Sequence, residues 1–144
     1  MLDLEIVNCK RREPLCIDIV EWFYYRNLTD YTLEIIIEHK NLKKDEVYGY
    51  CDVSPYEENP KTPRSFLIEI EKTLKTDDYI KIILHELYHV FQFCKGDLRL
   101  RDKGRYWKGN LIENLDYEEQ PHEIEANEYE LKLYHEFLTF LDNA

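Results

Sequence analysis

Asp77-Asp78-Tyr79-Ile80-Lys81-Ile82-Ile83-Leu84-His85-Glu86-Leu87-Tyr88-His89-Val90-Phe91-Gln92-Phe93-Cys94-Lys95 reads as an amphipathic helix. Ile80, Ile83, Leu84, Leu87 and Phe91 recur at helical spacing and define a buried stripe. Asp77 and Asp78 suit an N-cap and a first-turn acid, and Lys95-Gly96 offers a helix end, so the spacing predicts a helix over 77–95. His85 and His89 sit beside the stripe with Gln92. Residues four apart share one helix face, about 6 Å between their Cβ atoms, so the two imidazoles can share one Zn²⁺ ion. Glu86 projects beside the pair, where it suits a base acting on a zinc-activated water. Five His and nineteen Glu would produce H-E-x-x-H by accident roughly 0.02 times in a chain of this length. A polar pair on an exposed helix side is therefore the weaker reading.

Two histidines do not complete a catalytic zinc site, which has three protein ligands and one open position. The remaining histidines are His39, His122 and His135, and Cys9, Cys16, Cys51 and Cys94 include no C-x-x-C pair. The best source of a third ligand is Pro121-His122-Glu123-Ile124-Glu125-Ala126-Asn127, where Pro121 fits the first turn of a second helix. Along that helix Ile124, Leu131 and Leu138 form one apolar row; Ala126, Tyr129, Leu133, Phe137 and Phe140 form another. Glu123 and Asn127 share a face. Glu123 would bind the metal, and Asn127 would hold a histidine ligand through its free ring nitrogen. Glu125 and His122 stand as alternative ligands. The competing reading of these acids, Glu125 and Glu128 above all, is a solvated face at a helix N-terminus, where the macrodipole favours negative charge. Adjacent residues point about 100° apart on a helix, which disfavours His122 and Glu123 on one ion.

His85-Glu86-x-x-His89 followed by Glu123-x-Glu125-Ala126-Asn127 resembles the gluzincin class of zinc peptidases. In that class a Glu on a later helix supplies the third ligand, and an Asp or Asn often follows four positions on. The short spacing is similar to compact bacterial and phage peptidases of the ImmA/IrrE type. SprT-like proteins are less similar, since they use a third His and often a Cys-rich zinc module. The resemblance covers residues 64–135. It implies a zincin-like peptidase fold, a protein or peptide substrate, and an edge strand, here residues 64–70, that holds the substrate in extended form.

A chain of 144 residues with 44% hydrophobic and 14% aromatic content suits one domain, residues 1–144, with a single core. The net charge of -11 opposes non-specific binding to nucleic acid or an anionic membrane. Arg99, Arg101, Lys103, Arg105 and Lys108 form a local basic stretch, either a solvated loop or a contact for an acidic substrate or phosphate backbone. No stretch approaches the roughly 20 apolar residues that span a bilayer, and Met1-Leu2-Asp3-Leu4-Glu5 lacks the form of a secretory signal. An intracellular protein with reduced cysteines is expected, although a Cys9–Cys16 disulfide stays open.

Leu2, Leu4 and Ile6 alternate as a weak strand or extended arm. Glu13-Pro14 starts a helix over 14–27 with Leu15, Ile19, Trp22 and Phe23 on one face. Strands are expected at 32–38, 46–53 and 64–70, with prolines 55, 60 and 63 in a polar connector. Residues 105–109 read as a short strand or cleft wall, with Trp107 and Tyr106 packed on the core or lining a groove. Tyr106 and Tyr117 are possible phenol donors to an oxyanion. The expected fold is α+β: a small, mostly antiparallel three-stranded sheet, an N-terminal helix and two metal-bearing helices. The functional expectation is a zinc metallopeptidase with His85, His89 and Glu123 on the metal and Glu86 as general base. The alternatives are a non-catalytic binding or regulatory protein of the same fold, of phage or mobile-element origin; a zinc hydrolase of a non-peptide amide; and a DNA-associated protease.

Overall fold

In the computed structural model, which describes residues 1–143, the chain is a mixed α+β fold with three helices and two sheets. The first sheet contains β1 (Leu2–Val7), β2 (Leu33–Lys40), β3 (Gly49–Val53) and β4 (Ser65–Glu71), in the order β1-β2-β4-β3. Alternation decides its faces. Leu33, Ile35, Ile37 and His39 of β2 and Phe66, Ile68 and Ile70 of β4 are buried, while Glu34 and Lys40 face water. The register sets these residues in cross-strand rows: Leu4-Ile35-Phe66-Val53, then Ile6-Ile37-Ile68-Cys51, then His39-Ile70-Gly49.

Two expectations fail here. The sheet has four strands, and β1–β2 and β2–β4 are parallel; only β3–β4 is antiparallel. The first parallel pair arises because α1 (Glu13–Asn27) carries the chain back between β1 and β2. The second arises because the segment after β2 is tied to the end of β4 instead of turning into a hairpin. The amides of Leu42 and Lys43 both donate to Glu71 Oε1, at 2.7 and 2.6 Å. Consequently residues 64–70 lie inside the sheet, between β2 and β3, and cannot receive an added strand. The edge strands are β1 and β3.

Helix α2 (Thr76–Lys95) packs on β3, β4 and α1, and its Ile80, Ile83, Leu84 and Leu87 are buried; Phe91 is only half-buried. Lys75 takes the N-cap position, so Asp77 is a first-turn acid and not the cap. Gly96, at φ 85°, closes the helix with its N–H on the Phe93 carbonyl. A second sheet follows, formed by β5 (Leu98–Arg101), β6 (Gly104–Trp107) and β7 (Asn110–Leu111), all antiparallel. Trp107 packs against the core. Helix α3 (Pro121–Asp142) starts at Pro121 and buries Ala126, Leu133 and Phe137. Each expected row is split: Ile124 and Leu131 are 44% and 55% exposed while Leu138 packs against the core, and Tyr129 and Phe140 of the other row are exposed. All four cysteines are free, Cys9–Cys16 included. Among the described residues no helix is long and apolar enough to cross a membrane.

Candidate metal centre

Helices α2 and α3 pack against each other and deliver the site between them. α2 presents His85 and His89 one turn apart, and α3 presents Glu123 in its first turn. Both imidazoles converge on one oxygen: His85 Nε2 is 2.8 Å and His89 Nε2 is 2.9 Å from Glu123 Oε1. One donor atom from each residue lies within 4.8 Å of the other two, and the group could hold a metal ion. Both histidines are buried, and the Glu123 side chain is 15% exposed.

The surrounding hydrogen bonds define what the imidazoles can offer. The His122 carbonyl can only accept, so Gln92 turns its Nε2 toward it at 3.0 Å and its Oε1 toward His89 Nδ1 at 2.8 Å. His89 Nδ1 therefore carries a proton. In the neutral ring, Nε2 then presents a lone pair to the Glu123 oxygen, and two lone pairs 2.9 Å apart require a cation between them. A second proton or a metal ion meets that requirement. Beside His85, Glu130 Oε1 stands 3.3 Å from Nδ1, outside hydrogen-bond geometry.

The protonation energetics agree with this picture. Burial works against the His85 imidazolium, but the Glu123 and Glu130 carboxylates outweigh it and hold its pKa up at about 10. Burial likewise opposes the Glu123 carboxylate, and hydrogen bonds from His85 and His89 overcome this and hold it well below the usual range. Glu86 behaves oppositely: burial raises its pKa, and the two histidines offset this only in part. His122 is pushed down to about 4, first by burial and then by the charge on His89. Its ring is 2% exposed, and neither nitrogen has a hydrogen-bond partner.

A cavity of about 520 Å³ opens over the three donors, walled by β3, the Glu86 side of α2, β6 and the start of α3. Glu86 lines it from α2. Gly49 of β3 lies directly against Glu86: a Cβ built there would stand 3.0 Å from Glu86 Oε2 and 2.7 Å from Ile82 Cγ2. Strands leave room for a glycine where another group must come close, and here those groups are the Ile82 and Glu86 side chains of α2.

The structure thus brings together His85, His89 and Glu123, with Glu86 on the same cavity. Asn127 also lines the cavity, but the free nitrogen of His89 is met by Gln92 instead. Gln92 lies three residues after His89, a spacing that places them side by side on the helix. Glu125 is not a bare solvated acid: it accepts from Tyr88 Oη at 3.0 Å and from Gln92 Nε2 at 3.3 Å. His122 sits 3.8 Å from Glu123 Oε2 and is not one of the three clustered donors. Of the two tyrosines, Tyr117 lines the cavity and Tyr106 does not. Gly49, Gln92 and Glu130 are contributors that sequence reasoning did not assign, and Arg105 was marked only as part of the basic stretch, with an acidic substrate as one of its readings. Apart from the Gln92 spacing, no local pattern marked the other three. No known protein-family model, curated protein or solved structure matches the chain.

Proposed function

We propose that this chain is a zinc-dependent metallopeptidase of the gluzincin kind, with a zincin-like fold. The observation that carries the reading is the convergence of His85 Nε2, His89 Nε2 and Glu123 Oε1 beneath a cavity that Glu86 also lines. The donor chemistry fits zinc. Tetrahedral ligands about 2.0–2.1 Å from an ion stand roughly 3.3 Å apart. The two N···O separations of 2.8 and 2.9 Å need only a small outward shift. His₂Glu is a ligand set of catalytic zinc and leaves a position for water.

A bound zinc ion would supply Lewis-acid activation of a water and of the scissile carbonyl. The chain's own residues do the rest. Gln92 fixes the His89 tautomer so that Nε2 faces the centre. Glu86 takes the proton of the attacking water and delivers it to the leaving amine. Burial raises its pKa and makes it a better proton acceptor than an exposed glutamate. β3 is the edge strand next to the cavity, which its Gly49, Tyr50 and Cys51 line. An extended peptide can therefore pair with β3 beside Glu86.

The test is metal content by elemental analysis of the native chain and of Glu123→Ala, followed by turnover of Glu86→Gln. About one zinc per native chain, clearly reduced in Glu123→Ala, is expected for a three-ligand site. Glu86→Gln is expected to retain zinc and to lose roughly 10²- to 10⁴-fold in turnover, the usual contribution of a general base. Absence of zinc after reconstitution would sink the reading and leave a non-catalytic binding protein. Full activity of Glu86→Gln would remove Glu86 as the base.

A further inference from the structure

Arg105 is the one lysine or arginine among the described residues that line the cavity; the other charged side chains there are Glu46, Glu86, Glu123 and Glu130. Its position in the strand is unusual. Pairing of Leu98 with Trp107 and of Leu100 with Arg105 puts these four side chains on one face of the β5–β6 hairpin. Leu98, Leu100 and Trp107 belong to or pack against the core. Arg99 and Arg101 alternate to the other face and are exposed. Arg105 is thus the single charge on the inner, apolar face.

Its guanidinium is poorly served there. Among the described residues the only carboxylate within ion-pair range is Asp52, at 3.9 Å and 61% exposed, which is too far for a hydrogen bond. Its backbone, by contrast, is held firmly: the Arg105 amide donates to Glu113 Oε1 at 2.7 Å, and the same carboxylate fills the space beside Gly104, where φ is 123°. Arg105 lies close enough for its charge to act on His122 and Cys51, two other residues of the cavity wall. The buried, unpartnered imidazole of His122 offers a further donor on that wall. A half-buried guanidinium without a hydrogen-bonded acid, rigidly mounted and facing a cleft, is matched to a carboxylate that arrives from outside and accepts two parallel N–H bonds.

Resting on the metallopeptidase reading, we infer that Arg105 is a specificity-determining residue that receives a carboxylate of the peptide substrate, either an Asp or Glu side chain or the chain terminus. The exposed cations of the same hairpin, Arg99, Arg101 and Lys103, draw such a peptide toward a molecule whose net charge of -11 would otherwise repel it.

The test uses zinc-loaded Glu86→Gln protein and fluorescein-labelled octapeptides, read by anisotropy. A Glu is walked through each position of an otherwise neutral, C-terminally amidated peptide. Gln and Lys at the same positions, and the neutral peptide with a free C-terminal carboxylate, are the matched controls. At one position of Glu, or for the free terminus, binding is expected to be roughly tenfold tighter or more than for the Gln amide. A side-chain preference identifies an internal acidic residue as the recognised group, and a preference for the free acid identifies the chain end. Arg105→Ala should abolish the preference, Arg105→Lys should keep part of it, and Arg105→Glu should turn it toward Lys, all with unchanged zinc content. Equal binding of all peptides, no binding, or a preference that survives Arg105→Ala overturns the assignment. None of these outcomes touches the metallopeptidase reading, which stands or falls on zinc content and on the Glu86→Gln turnover.

Discussion

Glu71 and Glu86 are both withdrawn from water, and their surroundings drive them in opposite directions. Glu71 opposes its burial with four donors: the amides of Leu42 and Lys43 on Oε1, and the amide and hydroxyl of Thr73 on Oε2. Those bonds hold its pKa down at about 2. Glu86 has no comparable set of donors, and burial raises its pKa. The first is a structural carboxylate that fastens the segment after β2; the second is the proposed base, and its raised pKa suits that role. Because the folded pKa of Glu71 lies below its ordinary value, its stabilisation is complete above that value and is lost as pH falls toward 2. Glu71→Gln is expected to destabilise the fold at neutral pH by roughly 2 kcal/mol, the scale of hydrogen bonds to a charged group. It should also flatten the acid limb of stability measured by denaturant melts between pH 5 and about 2. An acid limb as steep as that of the native chain would show that another group carries it.

Periodicity located the helices, and tertiary contact decided what periodicity left open. The α2 stripe was legible because nearly every member faces one core. In α3 both apolar rows repeat at helical spacing, and only tertiary packing, Phe137 against Trp22 of α1 included, selects Ala126, Leu133 and Phe137 over Ile124 and Leu131. The strands were legible by alternation, but their order was not, because it is fixed by contacts such as Leu42 N to Glu71 that no local pattern encodes. His85, Glu86 and His89 announced themselves through spacing within one helix. Glu123 lies 34 residues beyond His89, Arg105 was marked only by the basic stretch around it, and Gly49 gave no local signal at all. Gly49 can be tested at this scale, since it is where β3 meets α2. Gly49→Ala places a methyl 2.7 Å from Ile82 Cγ2 and 3.0 Å from Glu86 Oε2, an overpacking expected to cost about 1–3 kcal/mol in thermal or urea melts. Zinc content should not change, whereas turnover should fall as Glu86 is displaced. Ile82→Ala in the same background removes the atom that is struck and should restore part of both losses. Unaltered stability and turnover in Gly49→Ala would mean that the strand yields without disturbing Glu86.

At the scale of the molecule, the site joins two helices whose remaining contact is partly apolar packing and partly the Tyr88–Glu125 and Gln92–His122 hydrogen bonds. His85, His89 and Glu123 come from chain positions that unfolding separates, so a metal held by all three binds the folded chain and stabilises it. At free zinc about 100 times its dissociation constant, linkage gives about 2.7 kcal/mol. For a chain of 144 residues this corresponds to a rise in Tm on the order of 10 °C. The imidazole protons must leave before the nitrogens can coordinate. With His85 held up at about 10 by its carboxylate neighbours, the zinc-dependent rise should shrink as pH falls and protons compete for the same lone pairs. Calorimetry of the native chain with chelator and with zinc, at pH 8 and pH 6, reads both effects. Glu123→Ala should show a much smaller zinc response at either pH, because one ligand is missing while the fold around Phe137 and Leu133 is untouched. A zinc response equal to that of the native chain would place the third ligand elsewhere and reopen Glu125 or His122 for that role.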